Sequence, residues 1–275
     1  METRALNRKA RFPRERWHER YIAECEPRLL DRGQALIYAA WDAGIIEEFH
    51  ALHWEGQQER AVTSPAEDDS WLEAQMRELA GNTPLDIEGQ VEKLTGQVWQ
   101  AASRHSFNKL GIDAVWNLKS PAVGKAIDQR KNLITDVSAT QFKELRDLIR
   151  TDVYSNGGSP VSKATLDRIL QATGKQAQYQ AERIARTETL TVSGMSSQKV
   201  YEQNGVEQKE WLWSGISREN HAAMNGEIVS IDGTFSNGLA FPGDPSGDIG
   251  EIANCGCDFA PIVSSAIDPD EVITQ

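Results

Sequence analysis

The chain has 275 residues, 39% of them hydrophobic, enough for a genuine core in one large domain or two modest ones. A formal net charge of -12 and a pI near 5.0 mean that the surface as a whole repels nucleic acid, so any DNA affinity must come from a local patch. No apolar run approaches the roughly 20 residues of a bilayer span, the opening Met1-Glu2-Thr3-Arg4 lacks a signal-peptide core, and three cysteines are too few for a disulfide scaffold. A soluble chain in a reducing compartment, with no membrane partner, is expected.

Residues 1–27 read as a basic N-terminal arm. Arg4, Arg8, Lys9, Arg11, Arg14, Arg16 and Arg20 stand against Glu2, Glu15 and Glu19, a local excess of four positive charges broken by Phe12 and Trp17. Such an arm is either solvated and mobile or a dock for an acidic partner or DNA.

Residues 28–175 read as a helical region. Over 28–52, Leu29, Leu36, Ile37, Trp41, Ile45 and Phe49 recur at the helical period, which predicts one helix. Residues 55–70, polar with Pro65 and an acidic run, read as a linker or exposed loop. A helix over 86–110 carries Val91, Leu94, Val98 and Phe107 and stops at Gly111. Another is expected over 127–137, and Ser138-x-x-Gln141 has capping-box spacing that would start a further helix with Phe142, Leu145 and Ile149. After the turn composition of 156–160, Ser162 can cap a helix ending near Gly174, and the longest helix follows over 176–203, closed by Asn204-Gly205.

From Val206 the chain becomes Gly-rich, with short alternating runs at 210–213 and 227–231 that read as strands. The fold class expected is therefore α+β: a mainly helical N-terminal region, then a compact module over 176–263 with short strands and Gly-rich loops, then an acidic tail over 264–275. Of the eight tryptophans, Trp41, Trp99, Trp211 and Trp213 sit in apolar patterns and read as core, whereas Trp17, Trp54 and Trp71 lie in polar contexts and read as interface residues.

The distinctive residues cluster late in the chain. Ile184-Ala185-Arg186-Thr187-Glu188-Thr189 lies on a helix, Trp211 and Trp213 on a strand, and Arg218-Glu219-Asn220-His221 precedes Gly226. Then come the loop Pro242-Gly243-Asp244-Pro245 and Asn254-Cys255-Gly256-Cys257. Arg186 and Glu188, two apart on a helix, point in different directions and need separate partners. A buried Arg bonded to loop carbonyls would pin the Gly-rich segments, while the prolines restrict the 242–245 loop and Asp244 accepts its backbone N–H groups.

In this order and spacing the motifs resemble the Mu F-like head-morphogenesis family of tailed bacteriophages, over roughly the last 100 residues. One departure stands out: the family's Arg between the two cysteines is Gly256 here. The resemblance implies a minor head protein that binds portal protein or major capsid protein, in the capsid interior or at the portal vertex of the virion, with packaged DNA within reach of the N-terminal arm.

No cofactor is the default expectation. The metal alternative is zinc held by Cys255, Cys257 and His221, with Asp244 or Glu188 as fourth ligand. An enzymatic alternative, such as a metal-dependent hydrolase, would use His221, Glu188, Cys255 and Cys257. Against it, the zinc-deaminase, zincin, nucleophile-elbow and phosphate-loop motifs are all missing from the sequence. A non-catalytic chain acting through binding is expected.

Overall fold

A computed structural model describes residues 11–54, 65–215 and 218–263. Six longer helices come first: α1 Glu15–Asp42, α2 Ile45–Trp54, α3 Pro65–Gly81, α4 Glu88–Leu110, α5 Pro121–Ser155 and α6 Lys163–Gln203. Then follow β1 Gln208–Leu212, α7 Glu219–Ala223, β2 Ile228–Ser230, α8 Ile249–Ile252 and β3 Asp258–Ile262. The fold class is α+β, with one antiparallel sheet of order β2-β1-β3 in which Lys209 faces Val229 on one side and Pro261 on the other.

Four boundaries differ from the sequence expectation. The helix expected over 28–52 begins earlier, at Glu15, and breaks at Gly44, whose φ of 72° belongs to the left-handed region. Residues 65–70 are the start of α3 and not a loop, because a proline suits the first helical turn and carboxylates suit the positive end of the helix dipole. Residues 55–64, the rest of that expected linker, lie outside the described part. The capping box at Ser138 is not used, since α5 runs straight through it. Gln141 instead donates to the Leu29 carbonyl at 2.5 Å and accepts from Arg32 at 2.6 Å. Finally α6 continues through Gly174; a single interior glycine costs a helix only about 1 kcal/mol.

The chain divides into two compact units, and the division does not follow chain order. One comprises, among the described residues, 22–54, 65–89 and 132–181. Its core is built on Leu36, Ile37, Phe49, Met76, Leu145 and Ile149, all buried, with Trp41, Trp54 and Trp71 packed against it. Arg32, 5% exposed, ties this unit's helices by donating to the Thr83 carbonyl at 2.6 Å as well as to Gln141. Trp54 and Trp71 thus serve this core, and the Trp54 indole N–H donates to the Val153 carbonyl at 2.9 Å.

The other unit holds, among the described residues, 11–21, 90–131 and 182–263. The C-terminal module expected over 176–263 therefore packs with α4 and with the first residues before and within α1. Inside it, the later half of α6 is buried on nearly every side and carries small polar residues. Ser197 bonds Ser106 at 2.9 Å and Ser196 donates to the Trp99 carbonyl at 3.0 Å, so α4 and α6 approach closely through hydroxyls.

The 242–245 loop lies against the same helix. A Cβ at Gly194 would stand 2.6 Å from the Phe241 ring and 3.0 Å from the Pro242 carbonyl oxygen. From the other side, Gly243 (φ 84°) has no room for a Cβ beside Leu190. Gly194→Ala should therefore destabilise the chain by about 1–3 kcal/mol through overpacking. The urea midpoint reads this directly, and an unchanged midpoint would mean that the loop yields without cost.

Candidate functional site

β1 threads Trp211, fully buried, through the middle of a small core with Leu190, Met224, Phe235 and Leu239. The chain then turns through α7 and reverses at Gly226 (φ 86°), whose N–H donates to the Trp211 carbonyl at 2.9 Å. This return puts His221 on the Trp211 ring, edge to face at 5.2 Å, with no solvent exposure.

Cys255 and Cys257 arrive from the opposite end of the module. Asn254 takes φ 57°, the one left-handed non-glycine among the described residues, and asparagine tolerates that region better than most. The two cysteines lie in the extended segment entering β3, just before the strand itself. Their sulfurs stand 3.4 Å and 3.7 Å from His221 Nδ1, and the three ligand atoms fall within 4.8 Å of one another. Cys257 N–H donates to Cys255 Sγ at 3.5 Å.

The far side of the imidazole is held as firmly. Nε2 lies 2.8 Å from Glu251 Oε2, and the Asn220 side chain reaches both Glu251 oxygens at 3.1 and 3.2 Å. Arg218 donates to the Ala253 carbonyl at 2.8 Å and the Glu251 carbonyl at 3.4 Å, tying α7 to the segment between α8 and the cysteines. The hydrogen bond to His221 holds the Glu251 carboxyl below its ordinary range. The hydrogen bond with Cys257 and burial push the Cys255 thiol well up, so a bare thiolate is disfavoured here and a neighbouring cation would be needed to stabilise one.

The expected fourth ligands are not part of this group. Glu188 is completely buried and pairs with Arg130 at 3.2 Å, leaving its second oxygen without a protein partner among the described residues. Burial drives its pKa up, opposed by Arg130. Asp244 organises its own loop, accepting from Ala240 N–H, Ser246 N–H and the Ser246 hydroxyl at 2.7–2.9 Å. Pro242 and Pro245 flank it as expected. Thr187 is buried, whereas Arg186 faces solvent and lies 4.0 Å from Glu182. Loop carbonyls in this unit are gripped by Arg218, Arg14 and Arg11, and Arg186 faces away from them.

The basic arm is partly structural. Arg14, 9% exposed, donates to the Cys257 carbonyl at 2.9 Å and pairs with Asp258 at 3.4 Å, and Phe12 N–H donates to Asp258 at 3.0 Å. Arg11 donates to the Trp213 carbonyl, and Trp213 N–H donates to Asn225 at 3.0 Å. Arg16 and Arg20 lie over the ring of Trp17, which is buried and so belongs to a core instead of an interface. Arg4, Arg8 and Lys9 lie outside the described residues, as does the acidic tail over 264–275. Arg130, Glu251 and Asp258 carried no motif and were not foreseen; each is recognisable only by the partner it meets.

No family model matches the chain, and no solved structure matches it. Over 144 residues it is 27% identical to YqbB of Bacillus subtilis (strain 168), an uncharacterized protein, an overlap covering 49% of this chain and 46% of YqbB. The chain thus spans about half the length of that relative.

The Arg130–Glu188 pair makes a testable statement about charge. Arg130→Leu strands a buried carboxylate and should cost about 3–5 kcal/mol at pH 7. Because the folded pKa of Glu188 is raised, the folded chain holds this proton to higher pH than the unfolded chain. Stability from this group is present below the unfolded value and is lost as pH rises through the folded value. The cost of Arg130→Leu should accordingly shrink at pH 4, where Glu188 is protonated; urea denaturation at both pH values measures it, and equal costs would show that the pair is not charged.

Proposed function

We propose that this chain is a minor head protein of a tailed bacteriophage, of the Mu F-like head-morphogenesis type, acting by binding and not by catalysis. The observation that carries the reading is the ordered set of motifs from Ala185-Arg186-Thr187-Glu188 through Trp211, Arg218-x-x-His221 and Pro242-Gly243-Asp244-Pro245 to Asn254-Cys255-Gly256-Cys257. Trp211 and the two cysteines share one small core with His221 against them, Arg218 bonds the Ala253 carbonyl beside them, and the 242–245 loop packs on Leu190 and Gly194 of α6. A scaffold role is supported by how the polar members are spent: Glu188 on Arg130, Asp244 on its loop, Arg218 on carbonyls. None of these faces His221, and the carboxylate that does, Glu251, is engaged by Nε2 and by the Asn220 side chain, which argues against the hydrolase alternative.

In this reading the partners are the portal protein or the major capsid protein, and the protein resides in the virion, inside the capsid or at the portal vertex. Packaged DNA is contacted by the basic arm. Arg11 and Arg14 are engaged in the C-terminal module, so the phosphate contact is assigned to Arg4, Arg8 and Lys9 with the exposed Arg16.

Quantitative mass spectrometry of purified DNA-filled heads, with the portal protein as internal standard, tests the reading. A copy number comparable to or below that of the portal is expected. Absence from filled heads and from unfilled precursors alike would remove the structural role and bring an enzyme or assembly factor forward.

A further inference from the structure

We propose that His221, Cys255 and Cys257 form a zinc site, with His221 binding through Nδ1 and both cysteines as thiolates. The inference is independent of the virion reading, because it rests only on the geometry of these side chains.

Three observations carry it. First, the spacing of the donor atoms is that of a coordination shell. Zinc–sulfur and zinc–nitrogen bonds of about 2.3 and 2.0–2.1 Å at tetrahedral angles put sulfur and nitrogen about 3.6 Å apart. The two sulfur–Nδ1 separations are 3.4 and 3.7 Å, one on either side of that value. A satisfied core histidine needs one acceptor for its ring N–H; it does not need two sulfurs converging on the same nitrogen.

Second, the opposite ring nitrogen is already committed. Nε2 lies 2.8 Å from the Glu251 carboxylate, itself steadied by Asn220, and in the tautomer that donates to this carboxylate Nδ1 carries the lone pair toward the sulfurs. A carboxylate on the distal N–H of a ligating histidine fixes its tautomer and orientation and raises its basicity. Glu251 is therefore a positioning residue for the metal and not a ligand.

Third, the surroundings suit a closed soft site. His221 and Cys257 are fully buried and Cys255 is 4% exposed, with the Trp211 ring edge against the imidazole. Cys257 N–H donates to the Cys255 sulfur, and Arg14 grips the carbonyls of Gly256 and Cys257 at 3.5 and 2.9 Å, so the backbone carrying both thiolates is fixed from behind. Two thiolates and a neutral imidazole balance a divalent cation in charge, and two sulfurs with one nitrogen favour zinc over magnesium or calcium. Among the described residues no fourth His, Cys, Asp or Glu joins the group.

The metal would clip α7 to the segment entering β3, reinforcing the bond from Arg218 to the Ala253 carbonyl and the packing of Met224 with the cysteines. The test uses the full chain, freed of any affinity tag and purified without chelator. Elemental analysis should find equimolar zinc, lost in His221→Ala and Cys257→Ser. Glu251→Gln should retain the metal with affinity lowered about 10–100-fold in chelator competition, as for other carboxylates behind a ligating histidine. Because Cys257→Ser can simply fail to fold, a second measurement uses the wild-type chain. After removal of metal, one equivalent of Co(II) should give the intense visible bands of a tetrahedral site together with thiolate charge transfer, both abolished by zinc. Two outcomes would overturn the proposal: a chain folded by circular dichroism that holds no zinc and gives only the weak spectrum of octahedral Co(II), or zinc retained undiminished in both ligand variants.

Discussion

Asp258 is a carboxylate buried at the head of β3, and much of its unit is arranged around keeping it charged. Burial opposes its ionisation, yet Arg14 and then Lys109, with N–H groups from Phe12 and Phe259, hold its pKa below the ordinary carboxylate range. A charge removed from water persists only with such partners. The partners come from the segment before α1, from α4 and from β3 itself, so satisfying one oxygen pair draws three distant stretches of chain together. Lys109 shows the reciprocal cost: burial pushes its pKa down even beside Asp258.

The later half of α6 works by the same economy of small polar groups. Thr187, Thr189, Thr191, Ser193, Ser196 and Ser197 are all buried on a helix that elsewhere in proteins would present an apolar stripe. Small side chains let α4 and the 242–245 loop approach to contact distance; the Ser193 and Ser196 hydroxyls bond to backbone carbonyls and Ser197 bonds Ser106, while the Thr189 and Thr191 hydroxyls have no partner among the described residues. Glu188 is the one large charge in that row, and its salt bridge with Arg130 fixes α5 to α6 within the unit. Such a helix specifies its neighbours through shape, since an added methyl at Gly194 already collides.

The site at His221 depends on this framework. Gly226 returns the chain after α7, Asn254 turns it before the cysteines, and Arg14 holds the carbonyls behind them. Gly256, where the resembled family carries Arg, is packed on Ser214 so that even a Cβ would come within 3.0 Å. A guanidinium does reach these carbonyls, but it arrives from Arg14 at the start of the chain. Of the stretch read as a basic arm, residues 11–21 thereby belong to the same unit as the module, while residues 22–27 belong to the other.

Local pattern determined the element types. The helical period of 28–52, the Gly111 and Asn204-Gly205 stops and the strands near 210 and 228 all express interactions within a few residues, which a sequence displays directly. The convergence of His221, Cys255 and Cys257 was legible too, because Cys-x-Cys and a lone histidine are rare enough to pair by chemistry. What tertiary structure alone decided was which polar group met which. Arg130 finding Glu188, Glu251 backing His221, Arg14 instead of Arg186 gripping the loops, and Trp17 buried are pairings across 30 to 243 positions of sequence. Helix continuity through Ser138 and Gly174 was decided there as well. In each case a local signal worth about 1 kcal/mol was outweighed by burial and by partners that no window of sequence contains.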